Sequence, residues 1–187
     1  MKKAITLTTA ALLVAPALSV TTLAWAEPMA RGAEAEVEIQ RVNADGVGEA
    51  IGTIWVAEHK DGVLFDPDLE GLEPGLHGFH LHQNPDCSPA EKDGKTTPAG
   101  AAGGHYNPDG EGEHKGPYEA GHRGDLPPLF VDAGGNASIP VLAPRLSFNE
   151  VNGRALIIHQ GGDNYSDDPK PLGGGGARVA CGVVSIE

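Results

Sequence analysis

The stretch AEAEVEIQRV, Ala33 to Val42, alternates apolar with charged or polar residues almost without a break. A period of two suits a strand with one buried and one wet face, and it would scatter the same apolar residues around a helix. Asn43-Ala44-Asp45-Gly46 then supplies a turn. EAIGTIWVAEH (Glu49 to His59) and GVLFDPDL (Gly62 to Leu69), split at Lys60-Asp61-Gly62, predict a hairpin. A further strand is expected to hold LHGFHLH (Leu76 to His82). LFVDAGGNASIPVL reads as a hairpin about Gly134-Gly135-Asn136, and RALIIHQ (Arg154 to Gln160) and ARVACGVVSIE close the series. With 27 glycines and 15 prolines in 187 residues and 5% aromatics, short strands joined by turns are favoured over long helices. The fold class is all-β.

Residues 1–26, MKKAITLTTAALLVAPALSVTTLAWA, carry two lysines, an apolar and Thr-rich run and a closing Ala24-Trp25-Ala26. This is the pattern of a secretory leader cut before Glu27, and its Thr and Pro residues and missing basic flank argue against a membrane anchor. Residues 27–187 then form a single domain. Export to an oxidising compartment, the periplasm in a bacterium, makes a disulfide between Cys87 and Cys181 the expected state of the two cysteines. The formal charge is −13, and loss of Lys2 and Lys3 with the acid-free leader takes it to −15. Such a balance argues against nucleic acid and anionic membranes as partners.

From Asn84 to Pro128 the chain is rich in Gly, Pro, Asp and Asn and has no sustained period. A loop of that length needs something to hold it, and this one carries Cys87 and three of the eight histidines. On a strand, His80 and His82 share a face while Phe79 and Leu81 point the other way, so two imidazoles can meet one ion. Alone, His-x-His is a weak signal. HKGPYEAGHRGD adds His114, His122 and Asp125, three of the four ligands of a tetrahedral zinc, and His80, His82 and His159 form an all-nitrogen set suited to copper.

Taken together these segments resemble the copper/zinc superoxide dismutases of the exported, bacterial type: GFHLH, GGHYNP, HKGPYEAGHRGD, IIHQGGDNYSD and GGGGARVACGVV occur in the family's order across the mature chain. The resemblance implies a Greek-key β-sandwich or flattened barrel of about eight antiparallel strands with long metal-binding loops, the family being itself an example of sandwich architecture. It implies one copper on His80, His82, His105 and His159 and one zinc on His105, His114, His122 and Asp125, with His105 bridging the two. Asp163 would join His80 to His114, and Arg178 would attract and orient the anionic substrate. The reaction implied is disproportionation of superoxide to oxygen and hydrogen peroxide, with His105 giving up a proton. Lys95, and with it Lys92, are candidates for steering superoxide to the site, in line with the field focusing for which this family serves as an example. His77 is expected to bond to backbone beside the site, facing away from His80, and His59 to be solvated. A metal carrier would need neither Arg178 nor Asp163, and a zinc hydrolase would want an open zinc position. Monomer and homodimer both stay open.

Overall fold

The computed structural model describes residues 34–92 and 94–186, Lys92 through its backbone alone. The leader and its cleavage before Glu27 lie outside the described residues. The expected alternation is realised in β1 (Glu34–Asn43), where Ala35, Val37 and Ile39 are buried and Glu34, Glu36 and Glu38 exposed. β1 turns back through Asn43, whose Oδ1 accepts hydrogen bonds from the Asp45 and Gly46 amides (2.7 and 3.1 Å), into β2 (Gly46–His59). β2 pairs in turn with β3 (Gly62–Leu69) as the predicted hairpin.

The remaining strands are β4 (Gly75–His77), β5 (Phe79–His82), β6 (Ala90–Lys92), β7 (Lys95–Thr97), β8 (Leu129–Val131), β9 (Val141–Ala143), β10 (Arg154–His159) and β11 (Arg178–Val184). A seven-stranded antiparallel sheet runs in the order β5-β10-β11-β1-β2-β3-β9, and β4-β8 and β6-β7 form two small pairs. The only α-helix among the described residues is one turn, α1 (Phe148–Val151), and none is long and apolar enough to cross a membrane. The curled sheet closes over a core that includes Val37, Ile39, Ile54, Val56, Phe65, Phe79, Leu81, Leu126, Leu156 and Ile158, with the Phe65 and Phe79 rings packed edge to face at 5.5 Å. This is an all-β sandwich.

Two expected elements differ. LHGFHLH is two strands, because at Gly78 the chain leaves its pairing with β8 and joins β10; the Gly78 amide donates to Gly161 O (2.7 Å) and its carbonyl accepts from His159 N (2.8 Å). The turn at Gly134-Gly135-Asn136 exists, stapled by Asp132 Oδ1, which accepts from the Gly134 and Asn136 amides. Its flanks do not form a hairpin: β8 pairs with β4 and β9 with β3. Short apolar strands reveal their buried face but not their neighbour, and here each flank pairs with a strand distant in sequence instead of across the turn.

Candidate metal centre

β5 is an edge strand of the large sheet, with β10 on one side and loops on the other. Phe79 and Leu81 enter the core, and His80 and His82 leave on the opposite face. His159 ends β10, whose Ile157 and Ile158 register with His80 and Phe79. The outer edge of β5 is completed by loop backbone: Leu81 N donates to Gly124 O (2.9 Å) and Tyr106 N to Leu81 O (2.7 Å). These bonds draw His105 opposite His82 and Asp125 opposite His80. Only glycine fits at 124, where an added Cβ would lie 2.2 Å from Leu81 O.

The histidines thereby converge. His80, His82, His105 and His159 each offer a ring nitrogen within 4.8 Å of the others, and His105, His114, His122 and Asp125 form a second group of the same span, sharing His105. Six buried ring nitrogens have no hydrogen-bond partner: His80 Nδ1, His82 Nε2, His105 Nε2, His114 Nδ1, His122 Nδ1 and His159 Nε2. Unsatisfied buried polar atoms are costly, and six in one place mark sites for cations. In the second group Asp125 Oδ1 lies 2.8, 3.0 and 3.4 Å from the Nδ1 atoms of His105, His114 and His122. A tetrahedron with zinc-ligand arms has edges of about 3.3 Å, so these residues fit zinc. The four-imidazole group fits copper.

The opposite nitrogen of nearly every ring is fixed by protein, which sets its orientation. His82 Nδ1 donates to Gly103 O (3.0 Å) and His159 Nδ1 to Gly176 O (3.3 Å). Asp163 stands between the two groups, its Oδ2 2.8 Å from His80 Nε2 and its Oδ1 2.8 Å from His114 Nε2, with all three side chains buried. Burial, then the charge of His105 and His159, pushes the His80 imidazole well below its usual value; burial, then His105 and Arg178, does the same to His82. Burial, followed by His105, lowers His159 to about 4, and burial lowers His105 against its bond to Asp125. At neutral pH these rings are neutral, with lone pairs free for a metal. His114 behaves oppositely. Burial opposes its charge, but the Asp125 carboxylate 3.0 Å from Nδ1 and the Asp163 carboxylate bonded to Nε2 outweigh burial and raise it to about 9. Those same contacts with His105 and His114 hold the Asp125 carboxyl far below its ordinary range despite burial. The carboxylates thus stabilise positive charge where the second group would receive its ion.

Arg178 registers opposite His159 and donates from Nη1 to Ala99 O (2.5 Å) and from Nη2 to Gly103 O (2.6 Å). Gly103 O therefore anchors both His82 and Arg178. The segment that provides these carbonyls packs with the Cys87–Cys181 disulfide, in a cluster with Val42, Ala99, Ala102, Ala155 and Ile157. His77 is not among the converging groups: its Nδ1 lies 2.6 Å from His159 O and its Nε2 2.7 Å from Glu73 O. His77 and His80 belong to different strands, so strand alternation does not set how His77 faces relative to His80. His59 is partly exposed and accepts from Asp61 N (3.2 Å). Lys95 is exposed and its backbone registers with that of Lys92 in the β6-β7 pair.

Sequence reasoning passed over Gly173, Arg123 and Glu150. Gly173 has φ 68°, and a Cβ there would lie 2.0 Å from Asp163 Oδ1. Ser147-x-x-Glu150 is a capping-box pattern visible in the sequence, and Glu150 closes that box on α1 while also meeting Arg123.

Comparison with known proteins agrees with this geometry. The copper/zinc superoxide dismutase family matches residues 50–184. Superoxide dismutase [Cu-Zn] 2 of Salmonella typhimurium is 56% identical over 156 residues, covering 83% of this chain and 90% of that protein, and superoxide dismutase [Cu-Zn] of Escherichia coli is 52% identical with the same coverage. Among solved structures, the Cu/Zn superoxide dismutase from Brucella abortus superposes with a TM-score of 0.80 at 50% identity, over 81% of this chain and 99% of that one. The monomeric enzyme from Salmonella enterica gives 0.74 at 53% identity, over 82% and 100%. With its metal-ready histidine groups and relatives of this similarity, the chain belongs to the copper/zinc superoxide dismutase family.

Proposed function

We propose that in this superoxide dismutase copper is held by His80, His82, His105 and His159, and zinc by His105, His114, His122 and Asp125, with His105 shared. The observation that carries the assignment is the set of six partnerless buried ring nitrogens falling into two groups joined by one ring. Copper so held supplies the one-electron exchange with superoxide that zinc, having no redox chemistry, does not.

The chain's own residues do the rest. Arg178 is a permanently charged donor whose field reaches the His82 and His159 rings. It draws in the anion and turns it toward the imidazoles. His105 Nε2 is buried and lacks a protein partner, so a proton taken up there can be passed to reduced substrate on its way to peroxide. Asp163 keeps His80 and His114 in one frame, and His105 turns its Nδ1 to the zinc side, 2.8 Å from Asp125 Oδ1. Lys95 and Lys92 add positive potential toward which superoxide drifts. Neutralising Lys95 is expected to lower the rate at low salt and flatten its salt dependence, and an unchanged salt profile removes it from that role. We further infer that residues 1–26 send the chain to the periplasm.

Superoxide disproportionation by protein loaded with copper, with zinc and with both tests the assignment. Activity is expected only where copper is present, and inactivity with both metals bound overturns it.

A further inference from the structure

Arg123 lies between the two zinc-side residues His122 and Asp125. Its guanidinium grips two separate anchors. Nε and Nη2 donate to the two oxygens of Asp109 (3.0 and 2.6 Å), four residues beyond His105, and Nη1 donates to Glu150 Oε1 (2.6 Å) on α1. Glu150 is itself held, Oε2 accepting from Ser147 N and Oγ and Oε1 from Tyr106 OH. Arg154 stacks on the Tyr106 ring, 3.7 Å from its centre, and donates to Glu150 O (2.7 Å). From outside, Arg145 holds the backbone of the same turn through Gly121 O (2.8 Å) and His122 O (3.3 Å).

We propose that Arg123 is a positioning residue for the zinc site, fixing the His122-to-Asp125 turn against both the His105 segment and the sheet-borne α1. The inference rests on the assignment of His122 and Asp125 to zinc. A bidentate carboxylate grip plus a second carboxylate fixes a guanidinium in plane, which no single point charge can do. Charge alone would work the other way. A guanidinium beside a dication repels it, and removing it leaves Asp109 and Glu150 unneutralised, so an electrostatic role predicts tighter zinc in its absence.

The sign of the change decides. Zinc affinity of the full chain is measured by chelator competition, and the geometry of the site by the visible spectrum of cobalt(II) bound in zinc's place. Arg123→Met is expected to weaken zinc about 10- to 100-fold, as loss of a partner outside the ligand sphere does, and to alter the cobalt bands. Arg123→Lys, which keeps the charge and loses the fork, is expected to fall between Met and wild type and serves alone if the Met variant does not fold. Zinc bound as tightly as in wild type, or more tightly, by the folded variants overturns the proposal. His122→Ala is the control: if it retains wild-type zinc affinity, the ligand assignment fails, whatever Arg123 does.

Discussion

Gly173 and Gly174 are neighbours with nearly the same left-handed backbone, φ 68° and 76°, yet they face different surroundings. A Cβ on Gly174 would meet nothing closer than Lys170 Cβ at 3.7 Å, whereas one on Gly173 would lie 2.0 Å from Asp163 Oδ1 and 2.9 Å from His114 Nε2. Alanine in that backbone costs about 1–2 kcal/mol at either position. At 173 the Asp163 carboxylate must also withdraw by more than an ångström, breaking its charge-assisted bonds to His80 and His114, which are worth about 1.5–3 kcal/mol each. Gly174→Ala is therefore expected to lower stability by about 1–2 kcal/mol, and Gly173→Ala by about 4–8 kcal/mol. At about 2–4 °C per kcal/mol for a chain of this size, thermal unfolding of the metal-free protein separates them readily. Chelator competition should show zinc and copper about 10- to 100-fold weaker in Gly173→Ala and unchanged in Gly174→Ala. Equal behaviour of the two variants would refute the claim that Asp163 must stand where it does.

Opening the Cys87–Cys181 bond releases a loop of 94 residues, worth about 4–5 kcal/mol in the chain-entropy account; calorimetry under reductant should show a drop in melting temperature of about 10 °C or more, with metal lost more readily to chelators. Arg178→Ala is expected to slow disproportionation about tenfold or more and weaken its salt dependence, with Arg178→Lys between, as read by rate against ionic strength. Glu150 has its carboxyl held below the usual range: burial opposes this, but the hydrogen bonds from Ser147 and then Arg123 prevail. A depressed folded value contributes stability that is present above the unfolded value and lost as pH falls through the folded one. Glu150→Gln should thus cost the metal-free protein about 1–3 kcal/mol at pH 7 and progressively less below about pH 4, followed by urea titration at several pH values.

The strands were legible where one face is buried and the other wet, as in β1, since alternation records burial directly. His80 and His82 were legible as a pair for the same reason, and the distant histidines became meaningful through their spacing around turn residues. What the sequence hid was partnership. Nothing local says that β8 leaves its own turn to pair with β4, or that Gly78 carries the chain from one sheet to another. Likewise Arg123 looks like a solvated loop cation until the fold brings Asp109 and Glu150 to it, and Gly173 is one of four consecutive glycines until Asp163 is seen against it.

β5 lies at the border of its sheet, and beyond it come loops rather than another strand. An unfinished border is a row of amides and carbonyls that a foreign chain can extend, and natural proteins conceal such rows. Here concealment falls to the turns around His105 and Gly124, whose backbones complete the hydrogen bonding of Leu81. Those turns are the ones that the metals would tie down. With the metals assigned as proposed, metal content and colloidal behaviour would be linked through one strand: freeing the loops would also uncover a template for self-association.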